Sequence, residues 1–202
     1  MPTDTATGSD RRNRILDAAE RVFAEEGYHG TTLREVAKAA DVKLSLISYH
    51  FESKLVLYTA IFARRQHVNE ERIRQLEAIE NLDAPDALDK IISAFLDPVV
   101  SLPEDGAAYR RLVFREAADP SCPERGVMGA LFDPMARKFI EALKCALPGK
   151  PPGFHEWCYL FAVGALTQSA FDDRIANLGG VPGAAEKNDL LRSFITAALR
   201  HG

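Results

Sequence analysis

Thr32-Leu33-Arg34-Glu35-Val36-Ala37-Lys38-Ala39-Ala40-Asp41-Val42-Lys43-Leu44-Ser45-Leu46-Ile47-Ser48-Tyr49-His50-Phe51 is the stretch on which the fold turns. Thr32 and Glu35 stand three apart, the spacing at which each side chain can serve the other's backbone N–H at a helix start. Leu33, Val36, Ala37 and Ala40 form the apolar face of the helix that follows. Asp41-Val42 breaks that pattern, and a second, very short helix fits Leu44 to His50. Two helices joined by a tight turn are the layout of a helix-turn-helix, whose second helix lies in a DNA major groove. Such a helix needs an apolar inner face and a small or polar outer one. Val42, Ile47 and Phe51 supply the inner face, leaving Lys43, Leu44, Ser45, Ser48 and Tyr49 outward.

Working outward, Ile15, Leu16, Ala19, Val22 and Phe23 form an earlier helical stripe, with Gly27 as its stop. Ser53 caps a fourth, long helix expected through Leu57, Ile61, Val68, Ile73 and Leu76. Later stripes run through Leu88 to Leu96, ended or kinked near Pro98, and through Tyr109 to Glu116. Met128 to Leu143 follows with a bend expected at Pro134, then the apolar run from Trp157 and the stripe Leu190 to Ala198. No segment alternates with a period of two. The expectation is an all-α protein of about nine helices, with a helix-turn-helix domain over residues 1–56 and a larger helical domain over 57–202.

The 202 residues are 47% hydrophobic and 27% charged, which excludes a disordered tail, a collagen-like repeat and a disulfide miniprotein. Net charge is −4, so any nucleic-acid contact must come from a local patch. One exists. Between Thr31 and Arg65 stand six basic residues and three acidic ones, a local +3, with Arg11, Arg12 and Arg14 preceding it. Thr31 and Thr32 at one helix start, His50 at the end of the second helix and Lys54 at the start of the fourth are the candidate phosphate contacts.

The remaining chemistry is sparse. Cys122, Cys145 and Cys158 are scattered, with no CxxC pair, which fits a reducing compartment and a cytoplasmic location. His155 and Cys158 lie three apart but lack companions, so no metal site is expected. No Walker loop, GxSxG or GxGxxG occurs, so neither an enzyme nor a bound cofactor is expected. The uncharged run Trp157 to Phe171 is fifteen residues long, shorter than the roughly 20 a membrane span requires.

Arg14-Ile15-Leu16-Asp17-Ala18-Ala19, Phe23, Gly27-Tyr28, Thr31-Thr32-Leu33, Val36-Ala37, Ala40, Val42 and Ile47-Ser48-Tyr49-His50-Phe51-Glu52-Ser53-Lys54 together resemble the amino-terminal signature of tetracycline-repressor (TetR) type regulators, in the Tyr-His-Phe-x-Ser-Lys variant. The resemblance covers roughly residues 11 to 60. It implies a homodimeric repressor released from a near-palindromic double-stranded DNA operator by a small-molecule effector. Lys43, Leu44, Ser45, Ser48 and Tyr49 would then read bases, and Thr31, Thr32, His50 and Lys54 would hold phosphates. Phe95, Phe114, Phe132, Trp157 and Phe161 are the aromatics expected to line the effector pocket. The last two helices, with Gly164, Ala165 and Ala170 allowing close approach, suit a four-helix dimer contact. Asp41 departs from the Gly usual at the turn, and it tolerates a left-handed backbone better than most residues. A second reading stays open at this point: a helical small-molecule-binding or catalytic protein whose front domain is vestigial.

Overall fold

The computed structural model describes residues 8–102, 106–169, 173–180 and 186–202. Among these residues the secondary structure is helical throughout, in the order α1 (Gly8–Gly30), α2 (Leu33–Ala39), α3 (Leu44–His50), α4 (Lys54–Arg64), α5 (Gln66–Glu77), α6 (Ala87–Val100), α7 (Gly106–Ala118), α8 (Cys122–Arg125), α9 (Val127–Leu131), α10 (Asp133–Ala146), α11 (Phe154–Gln168), α12 (Asp173–Asn177) and α13 (Lys187–His201). The end of the expected apolar run, Ala170 and Phe171, lies outside the described residues. No helix here is long and apolar enough to cross a membrane.

Each boundary has a local cause. Gly27 takes φ 73°, open to a residue without Cβ, and kinks α1 where the stripe predicts a stop. At α2 the reciprocal cap forms: the Glu35 N–H donates to Thr32 Oγ1 at 3.3 Å, and the Thr32 N–H donates to Glu35 Oε2 at 2.7 Å. Ser53 caps α4 by accepting from the Val56 N–H at 3.1 Å. The single long helix expected from Ser53 to Leu76 is instead broken at Arg65, whose φ −93° and ψ 7° leave the helical region. The bend at Pro134 is the start of α10, where a proline's missing N–H costs nothing.

Two apolar cores result. The front core joins Ile15, Leu16, Phe23, Val36, Ile47 and Phe51 to Leu57, Ile61 and Phe62 of α4. It also takes Tyr109 and Leu112 from α7, a helix far along the chain. The rear core packs α5, α6, α10, α11 and α13 around Ile91, Phe95, Phe139 and Leu143. Apolar burial on this scale is the main stabilising term of both units. The helix α7 belongs to the front core and also contacts α11 of the rear unit.

Candidate nucleic-acid interface

The turn between α2 and α3 is held from three sides. Asp41 takes φ 52°, the left-handed conformation in which the resemblance usually has Gly and which Asp tolerates. The Val42 N–H donates to the Ala37 carbonyl at 3.0 Å, closing the turn. Arg14 of α1 donates to the Ala40 carbonyl at 3.1 Å, so α1 grips the same corner. Below the turn Ile47 and Phe51 are buried and Val42 is partly buried, which fixes the rotation of α3 about its axis.

That rotation settles what faces outward. Lys43, Leu44, Ser45, Ser48 and Tyr49 are all exposed, and Tyr49 is 81% accessible, an unusual degree of exposure for an aromatic ring. The five candidate base-reading residues are thus exposed at the N-cap and along a helix two turns long. Tyr49 meets the His50 ring edge-on at 5.1 Å, which limits its swing.

The candidate phosphate contacts separate on inspection. Thr31 is corrected: it is only 1% exposed, and its hydroxyl and backbone N–H both donate to the Gly27 carbonyl, at 2.8 and 3.3 Å. It braces the kink behind the helix-turn-helix. Thr32 is exposed at the start of α2, with its hydroxyl also donating to Glu35 at 2.8 Å. His50 is half-buried between the rings of Tyr49 and Phe51. Lys54 lies with Nζ 4.6 Å from the centre of the Tyr28 ring. Partial burial there lowers its pKa and Glu35 opposes the shift, so the ammonium is partly stripped of water and held in place. Arg12 stacks on Phe51 at 5.2 Å, adding a cation on the same side.

Behind this interface lies a buried polar cluster that no sequence motif announces. Glu116 of α7 is fully buried, accepts from the Tyr58 hydroxyl at 2.9 Å and pairs with Arg125 at 2.7 Å. Arg125 also meets Asp119 at 3.0 Å and lies over the Tyr28 ring at 4.9 Å. Burial, followed by the Glu116 charge, raises the Tyr58 hydroxyl above any ordinary pH, so it stays a donor. Arg115 donates to the Glu25 carbonyl at 2.7 Å. On the other side Glu20 of α1 takes Arg64 at 3.1 Å and Arg65 at 2.7 Å. Helices α1 and α4 are consequently tied by ion pairs, and α7 is tied to both by hydrogen bonds, as well as by packing.

The rear unit holds a cavity of about 330 Å³ between α5, α7, α10 and α11. Its wall is mainly apolar, with Val68, Val113, Ile140 and Val163 among its members, and it includes Arg72, Tyr109 and Tyr159. Of the five aromatics expected to line one pocket, only Phe132 does so, and the expectation is corrected accordingly. Phe95 is core, packed edge-on to Phe139 at 5.6 Å, and Phe114 is half-buried outside this wall. Trp157 and Phe161 are 61% and 66% exposed on the outer side of α11. Helical spacing identifies a face but not what covers it, and α11 is apolar on both sides. His155 is buried with Nε2 2.9 Å from the Leu147 carbonyl, a packing role.

Comparison with known proteins agrees with this architecture. Residues 15–61 match the family described as bacterial regulatory proteins, tetR family, and residues 93–199 match the tetracyclin repressor-like C-terminal domain. The chain belongs to the TetR family. The HTH-type transcriptional repressor BepR of Brucella suis is 35% identical over 97 residues, 48% of this chain and 46% of that protein. The HTH-type transcriptional regulator SrpR of Pseudomonas putida is 33% identical over 96 residues, 48% of this chain and 43% of that protein. The chain thus spans about half the length of these curated relatives. The solved TetR-family regulator PfmR of Thermus thermophilus shares the fold at TM-score 0.63 and 17% identity, covering 93% of this chain and 97% of that one. In this TetR-family chain the front match ends at Ile61, within the front core as the packing defines it.

Proposed function

We propose that this chain is a homodimeric, ligand-responsive transcriptional repressor of the cytoplasm, releasing a near-palindromic DNA operator when a small molecule enters the rear cavity. One observation carries the reading: Lys43, Leu44, Ser45, Ser48 and Tyr49 stand exposed at the N-cap and along a helix whose inner face is locked into the core. In a major groove Lys43 donates to guanine acceptors, the serine hydroxyls serve either partner, and Leu44 or Tyr49 meets a thymine methyl. Thr32, His50, Lys54 and Arg12 stand around that helix for the phosphates.

Two readers are needed for a palindromic site, and the surface offers a way to bring them together. Trp157, Phe161, Leu190 and Phe194 are exposed apolar side chains on α11 and α13. Pairing these helices with their copies would bury them in a four-helix contact. The cavity connects to the reading helix through α7. That helix gives Tyr109 and Val113 to the cavity wall and Glu116 and Arg115 to the bonds with α4, α8 and α1. A ligand that binds one position of α7 better than another thereby shifts α1 and α4, and with them the spacing of the two α3 helices.

Fluorescence anisotropy with labelled duplex DNA across a salt series tests the DNA-binding half. The expected result is a steep linear fall of log affinity with log salt, the signature of counterion release. A flat response would favour the reading in which the front domain is vestigial.

A further inference from the structure

Arg72 lies on the α5 stripe Val68–Arg72–Leu76, where periodicity calls for an apolar residue. It is 6% exposed and forms no ion pair with an acid among the described residues. Its Nε donates to the Phe95 carbonyl at 2.8 Å, Nη1 has the Met135 sulfur at 3.9 Å, and Nη2 is buried without a hydrogen-bond partner. The guanidinium also lies over the Phe95 ring at 4.6 Å. A guanidinium retains its charge in almost any protein site, so this is a buried cation with no carboxylate partner among the described residues and one N–H group still open. Burial drags its pKa down to about 10, with Tyr159 and Tyr109 opposing, and still leaves it charged.

Such an arrangement costs the empty protein stability and is repaid when an anion arrives. The acids of the wall bring their own partners: Asp133 pairs with Arg137 at 3.7 Å, and Glu156 with Lys144 at 3.1 Å. Tyr109 and Tyr159 have raised pKa values because of burial, so their hydroxyls stay neutral there. A cavity of about 330 Å³ falls at the small end of ligand sites. The open Nη2 of Arg72, neutral hydroxyls and apolar walls match a carboxylate on an apolar body.

We propose that the cavity takes an organic monocarboxylate, its carboxylate on the Arg72 guanidinium and its apolar body along Val68, Val113, Ile140 and Val163. This rests on the reading of the cavity as the effector site and names the chemical class of that effector.

Isothermal titration of the full chain with decanoate, cyclohexylacetate and naphthoate, each beside the primary alcohol of the same skeleton, tests it. At least one acid is expected to bind about tenfold or more tightly than its alcohol, as charge-assisted hydrogen bonds provide. Arg72→Met should bring that ratio close to one while alcohol binding persists, and Arg72→Lys should restore part of it. If no acid outbinds its alcohol, or if Arg72→Met keeps the preference, the inference is overturned. Should Arg72→Met fail to fold, the acid-to-alcohol ratio in the unmutated chain and in Arg72→Lys still decides. Anisotropy on duplex DNA without ligand separates the two levels. Intact DNA binding with no acid preference removes only the carboxylate, whereas an acid preference without DNA binding removes the repressor reading.

Discussion

Asp41, at φ 52°, bears a conformation that glycine adopts freely and an L residue only with some strain. Asp41→Gly should therefore stabilise the chain by up to about 1 kcal/mol, visible as a higher urea midpoint, provided the gain exceeds glycine's extra unfolded-state entropy. A lower midpoint would mean that the Asp side chain itself holds the turn. The outward residues separate by role. Lys43→Ala should relax preference at one base pair by about 1–3 kcal/mol. Lys54→Ala should weaken all duplexes about equally and reduce the salt slope by about 1. Anisotropy on matched and mismatched duplexes distinguishes them, and identical behaviour of the two variants would refute the division. The exposed side of α3 was legible because Ile47 and Phe51 are buried beneath it, which fixes the rest by rotation. Thr31 was misread because sequence shows a hydroxyl at a helix start but not the Gly27 carbonyl waiting behind it.

At the scale of elements, the bonds between helices carry the consequences. Arg125 and Glu116 are both buried, so Arg125→Met strands a carboxylate in the front core. A loss of about 3–5 kcal/mol in denaturant unfolding is expected, and a loss below 1 would show that Glu116 is satisfied without it. Arg72→Met removes a lone buried cation and should raise Tm in the ligand-free chain, the opposite sign for the same kind of exchange. The caps add a pH dependence. Hydrogen bonds from Thr32 hold Glu35 below the usual carboxylate range, and those from Arg74 and Gln75 hold Glu71 at about 2. Depressed folded-state values mean that this contribution is present above the unfolded carboxylate range near pH 4 and is lost as pH falls below it. Urea midpoints should be level from pH 6 to 5 and decline toward pH 3, and a rise on acidification would contradict the assignment. Stripes and caps were readable in sequence because both are local. The break at Arg65 was not, since no proline or glycine marks it and Arg65 turns out to be drawn to Glu20, 45 residues earlier.

For the whole molecule, the fold class follows from the sequence, whereas the packing of α7 into the front core depends on contacts across half the chain. The pocket expectation failed for the same reason: Trp157 and Phe161 repeat at helical spacing, and only the packed structure shows their face uncovered. If that face joins two copies, Phe161→Glu with Phe194→Glu should convert the dimer to monomer in sedimentation and abolish binding to a two-half-site duplex. A double variant that remains dimeric would move the interface elsewhere. The most direct test of the reading helix is selection from a pool of randomised duplex DNA by the unmutated chain, followed by sequencing. The expected outcome is an enriched near-palindrome whose half-sites are centred about 10 base pairs, or a multiple of that, apart, with preference at one position lost in Lys43→Ala. Recovery of an unenriched pool, at low as well as moderate salt, would contradict the assignment of Lys43 to Tyr49 as the surface that reads bases.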